Sequence, residues 1–95
     1  MEGAPGGALV TTLPTIHLNG TGAQNLFDEY HEALRIAHRL RTAIAEATCN
    51  QRDFYPQGEE AWQKARAERM EAFAKLSDVE EYLTAWAEHA ANHLP

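Results

Sequence analysis

Residues 62–93, WQKARAERMEAFAKLSDVEEYLTAWAEHAANH, decide the fold of this chain. Within them Trp62, Ala65, Arg69, Ala72, Leu76, Val79, Leu83, Trp86, Ala90 and His93 recur at alternating steps of three and four, with Phe73 and Tyr82 beside them. That spacing lays one stripe along an α-helix. Only Arg69 and His93 break its apolar character. Ser77-Asp78-Val79-Glu80 resembles a capping box that would restart a helix. The stripe passes Ser77 in phase, so one helix over about 58–92 is expected, roughly 50 Å long.

A second stripe precedes it. Leu26, Tyr30, Ala33, Ala37, Leu40, Ile44 and Ala47 follow the same steps, widened by Phe27 and Leu34, and predict a helix over about 22–48. Thr21-Gly22-Ala23-Gln24 reads as its capping box. Between the helices, residues 49–58 have the composition of a loop, and Pro56 delays the second helix to about position 56 or 57. A loop of this length predicts an all-α fold, a long antiparallel helical hairpin. With the turn centred near Asp53, facing residues should have numbers summing to about 106. Ile44 would then meet Trp62, Leu40 would meet Ala65, and Tyr30 would meet Leu76. The second helix would overshoot at the open end, leaving Leu83, Trp86, Ala87, Ala90 and Leu94 without a partner on the first.

Residues 9–18 supply cover for that overhang. Leu9, Val10, Leu13, Ile16 and Leu18 alternate loosely with polar residues, and Pro14 forbids a helix, so an extended arm is expected. Asn19-Gly20 turns it into the first helix. Residues 1–8, rich in Gly and Pro, are expected to be disordered, which leaves 9–95 as a single domain. They carry no basic, then apolar, segment of a signal peptide, and neither a leader nor a membrane anchor is expected.

The core is thin. Apolar residues are 44% of the 95, but many are alanine, which buries little area. Ala33, Ala37, Ala65 and Ala72, with Arg69 among them, line the middle of the hairpin and form the expected interface of a homodimer closing into a four-helix bundle.

Catalytic chemistry finds little support in these residues. Cys49 is the single cysteine, without an evident base, and excludes an intrachain disulfide. His89 and His93 lie four apart, a spacing that can hold a metal, but no further ligand pair accompanies them. Asp28-x-x-His31 matches half of a di-iron site whose other half is missing. No glycine-rich loop carries the lysine of a phosphate cradle. No metal, no cofactor and no enzymatic activity are expected.

Charge is unevenly placed. The net charge of −6 argues against direct binding to nucleic acid. Residues 35–69 hold seven cations against five anions, while the open half holds nine anions against Lys75 alone, about +2 and −8. Antiparallel pairing would gather Asp28, Glu29 and Glu32 with Asp78, Glu80 and Glu81 into an acidic face. Such a face would steer a basic partner or imitate a nucleic-acid backbone; a solvated surface explains it as well. The loop tip offers Arg52, Phe54 and Tyr55, residue types that anchor interfaces, unless the aromatics fold back to cap the hairpin.

Two stretches carry a resemblance. Pro14-Thr15-Ile16-His17-Leu18-Asn19-Gly20-Thr21-Gly22 and Asn50-Gln51-Arg52-Asp53-Phe54-Tyr55-Pro56-Gln57-Gly58, followed by Ala61-Trp62, resemble a family of short phage and prophage proteins with "HLNGT" and "RDYYPQG" stretches before a long acidic helix. The likeness covers residues 14 to about 90. It implies expression in the cytoplasm of an infected bacterium and a small accessory role, and it brings no active-site residues. The expected function is binding to a protein partner, with inhibition of a host defence or nucleic-acid enzyme as its sharper form. The alternative is a structural or assembly part of the phage particle.

Overall fold

The computed structural model describes residues 10–95. The expected disorder of residues 1–8, and Leu9 of the arm, lie outside the described residues. Two helices form an antiparallel hairpin, α1 over Ala23–Glu46 and α2 over Glu59–Ala91, joined through a 3-10 turn at Gln51–Phe54. No strand occurs among the described residues, and no helix there is long and apolar enough to cross a membrane. Helix α2 runs unbroken through Ser77, as the unbroken phase of its stripe requires.

The start of α1 differs from expectation. Gly22 is its N-cap, and no side chain caps it. The helix begins one residue later than a Thr21 cap would place it, so Gln24 is out of register with the Thr21 amide. Instead its side-chain amide donates to Asp28 Oδ1 at 2.8 Å, one turn on. The turn before it forms at the expected place, with the Gly20 amide donating to the His17 carbonyl at 3.1 Å.

The register is the main correction. Tyr30 stacks on Trp86, ring centroids 4.6 Å apart, rather than meeting Leu76. That places the sum of facing numbers near 116, and a change of about ten residues moves one helix along the other by about 15 Å. Trp86 therefore does have a partner on α1. The overhang lies at the loop end instead, where the first ten or so residues of α2 pass the end of α1.

The loop covers that overhang by running back along α2. Phe54 packs on Trp62 with ring centroids 5.8 Å apart, and the Gln51 side-chain amide donates to Glu59 Oε1 at 3.0 Å. The chain then enters α2 through Gly58, whose φ of 102° is open to glycine and strained for other residues. Its amide donates to the Phe54 carbonyl at 2.9 Å, closing the loop.

The arm also reaches α2, but sparingly. His89 Nε2 donates to the Pro14 carbonyl at 2.6 Å, while Thr11, Pro14 and Ile16 are half-buried. Val10 and Leu18 stay almost wholly exposed, so most of the arm's larger apolar residues do not serve as the expected cover. Ala87 and Ala90 are buried nonetheless.

Among the described residues only Ala37, Leu76, Ala87 and Ala90 are buried, three of them alanines. The hairpin is one layer of two helices, and the molecule is 16 Å across its thinnest direction. Leu40 and Val79, both members of the stripes, keep about half their surface in solvent.

Candidate functional site

The slid register rearranges the charges. Arg41, from the basic half, crosses the seam to Glu80: Nη2 donates to Oε1 at 2.8 Å and Nε to Oε2 at 3.1 Å. The same guanidinium donates to Ser77 Oγ at 2.8 Å, and its carbon lies 5.6 Å from the centre of the Phe73 ring. Two parallel bonds to one carboxylate make this a bidentate pair that ties α1 to α2, whereas the bidentate Arg35–Glu32 pair stays within α1. His38 Nε2 stands 3.9 Å from Glu80 Oε2.

These contacts take apart the expected acidic face. Glu80 is neutralised by Arg41 rather than gathered with Asp28 and Glu29. Glu32 pairs with Arg35 on its own helix at 2.6 Å, and Asp28 accepts from Gln24. The hydrogen bond from Arg35 holds the Glu32 carboxyl below its ordinary range. Asp28, Glu29 and Glu32 lie near the level of residues 84–88 of α2, not of Asp78, Glu80 and Glu81. What remains is a shallow trough of about 470 Å³ lined by His38, Ser77, Glu80, Glu81, Thr84 and Glu88. A second hollow, about 390 Å³, lies wholly on the outer side of α1. Both are open to solvent, a poor setting for chemistry that needs water excluded.

The Arg41 bonds hold the Glu80 carboxyl below its ordinary 4.5, against the opposing effect of partial burial. A carboxyl depressed by folding contributes stability above its unfolded pKa and loses it as pH falls through the lower folded value. Urea unfolding of the native chain and of Glu80→Gln should therefore differ at pH 7, and the gap should close as pH falls below 4.5. A gap that stays constant down to strong acid would mean that the pair contributes nothing as an ion pair.

The expected dimer residues are scattered by the same shift. Ala37 is buried within the hairpin. Arg69 crosses to the end of α1, where Nη2 donates to the Ile44 carbonyl and, at 2.9 Å, to the Ala47 carbonyl. Ala33 and Ala65 are half-buried, and Ala72 is exposed.

The loop tip is divided. Phe54 folds back onto Trp62, while Tyr55 points away with 69% of its surface exposed, beside exposed Arg52. Phe54 on Trp62, the Gln51–Glu59 bond and the Gly58 turn hold that tip in one shape. Little in the sequence separates the two aromatics; only the pairing of Phe54 with the first turn of α2 does.

His89 and His93, the candidate metal pair, turn their ring nitrogens to carbonyls. His89 Nε2 binds Pro14 and His93 Nδ1 donates to the His89 carbonyl at 2.9 Å. No group of three or more His, Cys, Asp or Glu placed to hold a metal occurs among the described residues. Cys49 is a free, half-buried thiol in the loop.

Sequence reasoning missed an aromatic cluster at the open end. Tyr30 and Tyr82 both pack on Trp86, Tyr82 at 6.2 Å between centroids. Burial, then the neighbouring Tyr82, pushes the Tyr30 phenol above its ordinary value. The Trp86 indole N–H is buried with no hydrogen-bond partner among the described residues. All three residues were visible in the two stripes; only the register that joins them was not.

Comparison of the chain with protein-family models, with curated proteins and with solved structures returns no match.

Proposed function

We propose that this chain is a non-enzymatic accessory protein of phage or prophage origin that acts by binding another protein through its loop tip. The observation that carries the reading is Tyr55, held outward beside Arg52 by a loop braced on Trp62 and Glu59. Tyrosine and arginine dominate the binding energy of protein interfaces, and a tip already in shape loses little entropy on binding. The open half of the hairpin, with Glu81 and Glu88 exposed along the trough, adds attraction for a basic partner. A phage or prophage origin would put that partner in the cytoplasm of an infected bacterium, and an inhibitory role fits a small acidic binder.

Capture from infected-cell lysate, with the native chain, Tyr55→Ala and Glu81→Lys/Glu88→Lys side by side, tests this. Glu80 is left intact because reversing it would break the Arg41 pair. A protein retained by the native chain should be retained at least tenfold less by Tyr55→Ala. A host enzyme in that fraction supports inhibition; a virion component supports the assembly role. The same proteins retained equally by all three chains would remove both surfaces from consideration.

A further inference from the structure

One face of the hairpin is apolar and uncovered. Ile36 and Leu40 lie one turn apart on α1, 51% and 49% exposed, and Val79 and Tyr82 lie one turn apart on α2, 49% and 41% exposed. At about 100° per residue, Leu40 and Ile36 flank the seam on the opposite side from Arg41 and His38. The same rotation puts Val79 and Tyr82 opposite Glu80 and Ser77. Since Arg41 and His38 meet Glu80 across the seam, the four apolar residues must share the other face. Ala72 is exposed on that side too.

We infer that this face is covered by a second copy of the chain, closing two hairpins into a four-helix bundle with Ile36, Leu40, Val79 and Tyr82 at its centre. Two observations favour a second copy over an unrelated protein. A stable domain needs two packed layers, and this hairpin supplies one, with three alanines and Leu76 as its buried residues. A partner that completes the core must be present whenever the chain is, and another copy meets that condition.

The area is also adequate. The four residues expose on the order of 400 Å² of apolar side chain, a patch of the size that marks interaction sites. The 24 residues of α1 give a face about 36 Å long, and two helix diameters make it about 20 Å wide. Its roughly 700 Å² is close to the ~800 Å² per partner of a stable interface. Homodimer interfaces are the more apolar kind, which suits a strip of Ile, Leu, Val and Tyr.

The apolar strip and the loop tip are separate surfaces. Tyr55 lies at the loop end, outside the strip, so the two surfaces can be lost separately.

Light scattering of the whole chain at micromolar and higher concentrations decides the dimer: the mass should be twice 10.6 kDa. The melting temperature should rise with concentration, since association stabilises only the folded copies. A mass of 10.6 kDa throughout, with a concentration-independent melt, would overturn the proposal. Ile36→Glu/Val79→Glu should return the mass to that of one chain, while Tyr55→Ala should leave it doubled. If the double variant does not fold, radical footprinting of the native chain assigns the face. Ile36, Leu40 and Tyr82 should be protected at high concentration, with Tyr55 and Met70, about two-thirds exposed, labelled throughout. A dimer that leaves Ile36 and Tyr82 fully labelled places the interface elsewhere and refutes the assignment.

Discussion

Leu76→Ala lowers the stability of the chain by about 3 kcal/mol, within the range for removing a buried leucine. For a chain of this size that is a fall in melting temperature of roughly 12–20 °C at fixed protein concentration. The effect is large because Leu76 is the only buried residue bigger than alanine among the described ones. The other three buried residues cannot move in to fill the space, being alanines on helix backbones. Thermal unfolding followed by circular dichroism measures it. A loss under 1 kcal/mol would show that the seam collapses around the gap and that the core lies elsewhere.

Arg69→Ala is expected to cost about 2 kcal/mol, within the range for a charged hydrogen bond to a part-buried acceptor. The last carbonyls of a helix have no partner within it. Helix α1 has no basic residue in its last turn, and Arg69 arrives from α2 to bond the Ile44 and Ala47 carbonyls. The guanidinium also lies 5.7 Å from the Phe73 ring centre, so its loss loosens packing as well. Hydrogen exchange gives the local readout. The Ala47 amide, bonded to Ala43 and Ile44, should exchange at least tenfold faster in Arg69→Ala, while amides in the middle of α2 change little. Arg69→Lys should recover only part of the protection, since a single ammonium matches two carbonyls less well than a planar fork. Equal protection in all three chains would mean that the cap is ornamental.

Arg69 illustrates how far the sequence could be read. It stands out there as a cation in an apolar stripe, which marks it as buried with a partner or facing a second chain. The stripe alone does not say which. The partners turn out to be backbone carbonyls at the end of α1, and main-chain acceptors leave no trace in a residue pattern. Glu80 is a parallel case. Among Asp78, Glu80 and Glu81 nothing distinguishes it, yet it alone reaches Arg41. The candidate tip was legible as a set of residue types, but the division between tucked Phe54 and outward Tyr55 needed the position of Trp62.

The existence of two helices, their ends to within two residues, the continuity of α2 through Ser77 and the antiparallel hairpin all follow from local periodicity. That is so because a helix needs only its own residues to satisfy its backbone and present an apolar side. Register is different. The pairing near 116 differs from that near 106 by ten residues, and steps of three, four and three put stripe members ten apart, as Leu76 and Trp86 are, so sliding by that much again brings stripe residues to the seam. Two registers that bury similar stripes are separated only by particular interlocking contacts: Tyr30 on Trp86, Arg41 on Glu80, Arg69 at the end of α1, and a loop that runs back along α2. The three contacts between the helices join residues 22 to 56 positions apart in the chain. They exist only once both helices are in place, and with them the tertiary structure decided where the charges pair, which aromatic faces outward and which face is left bare.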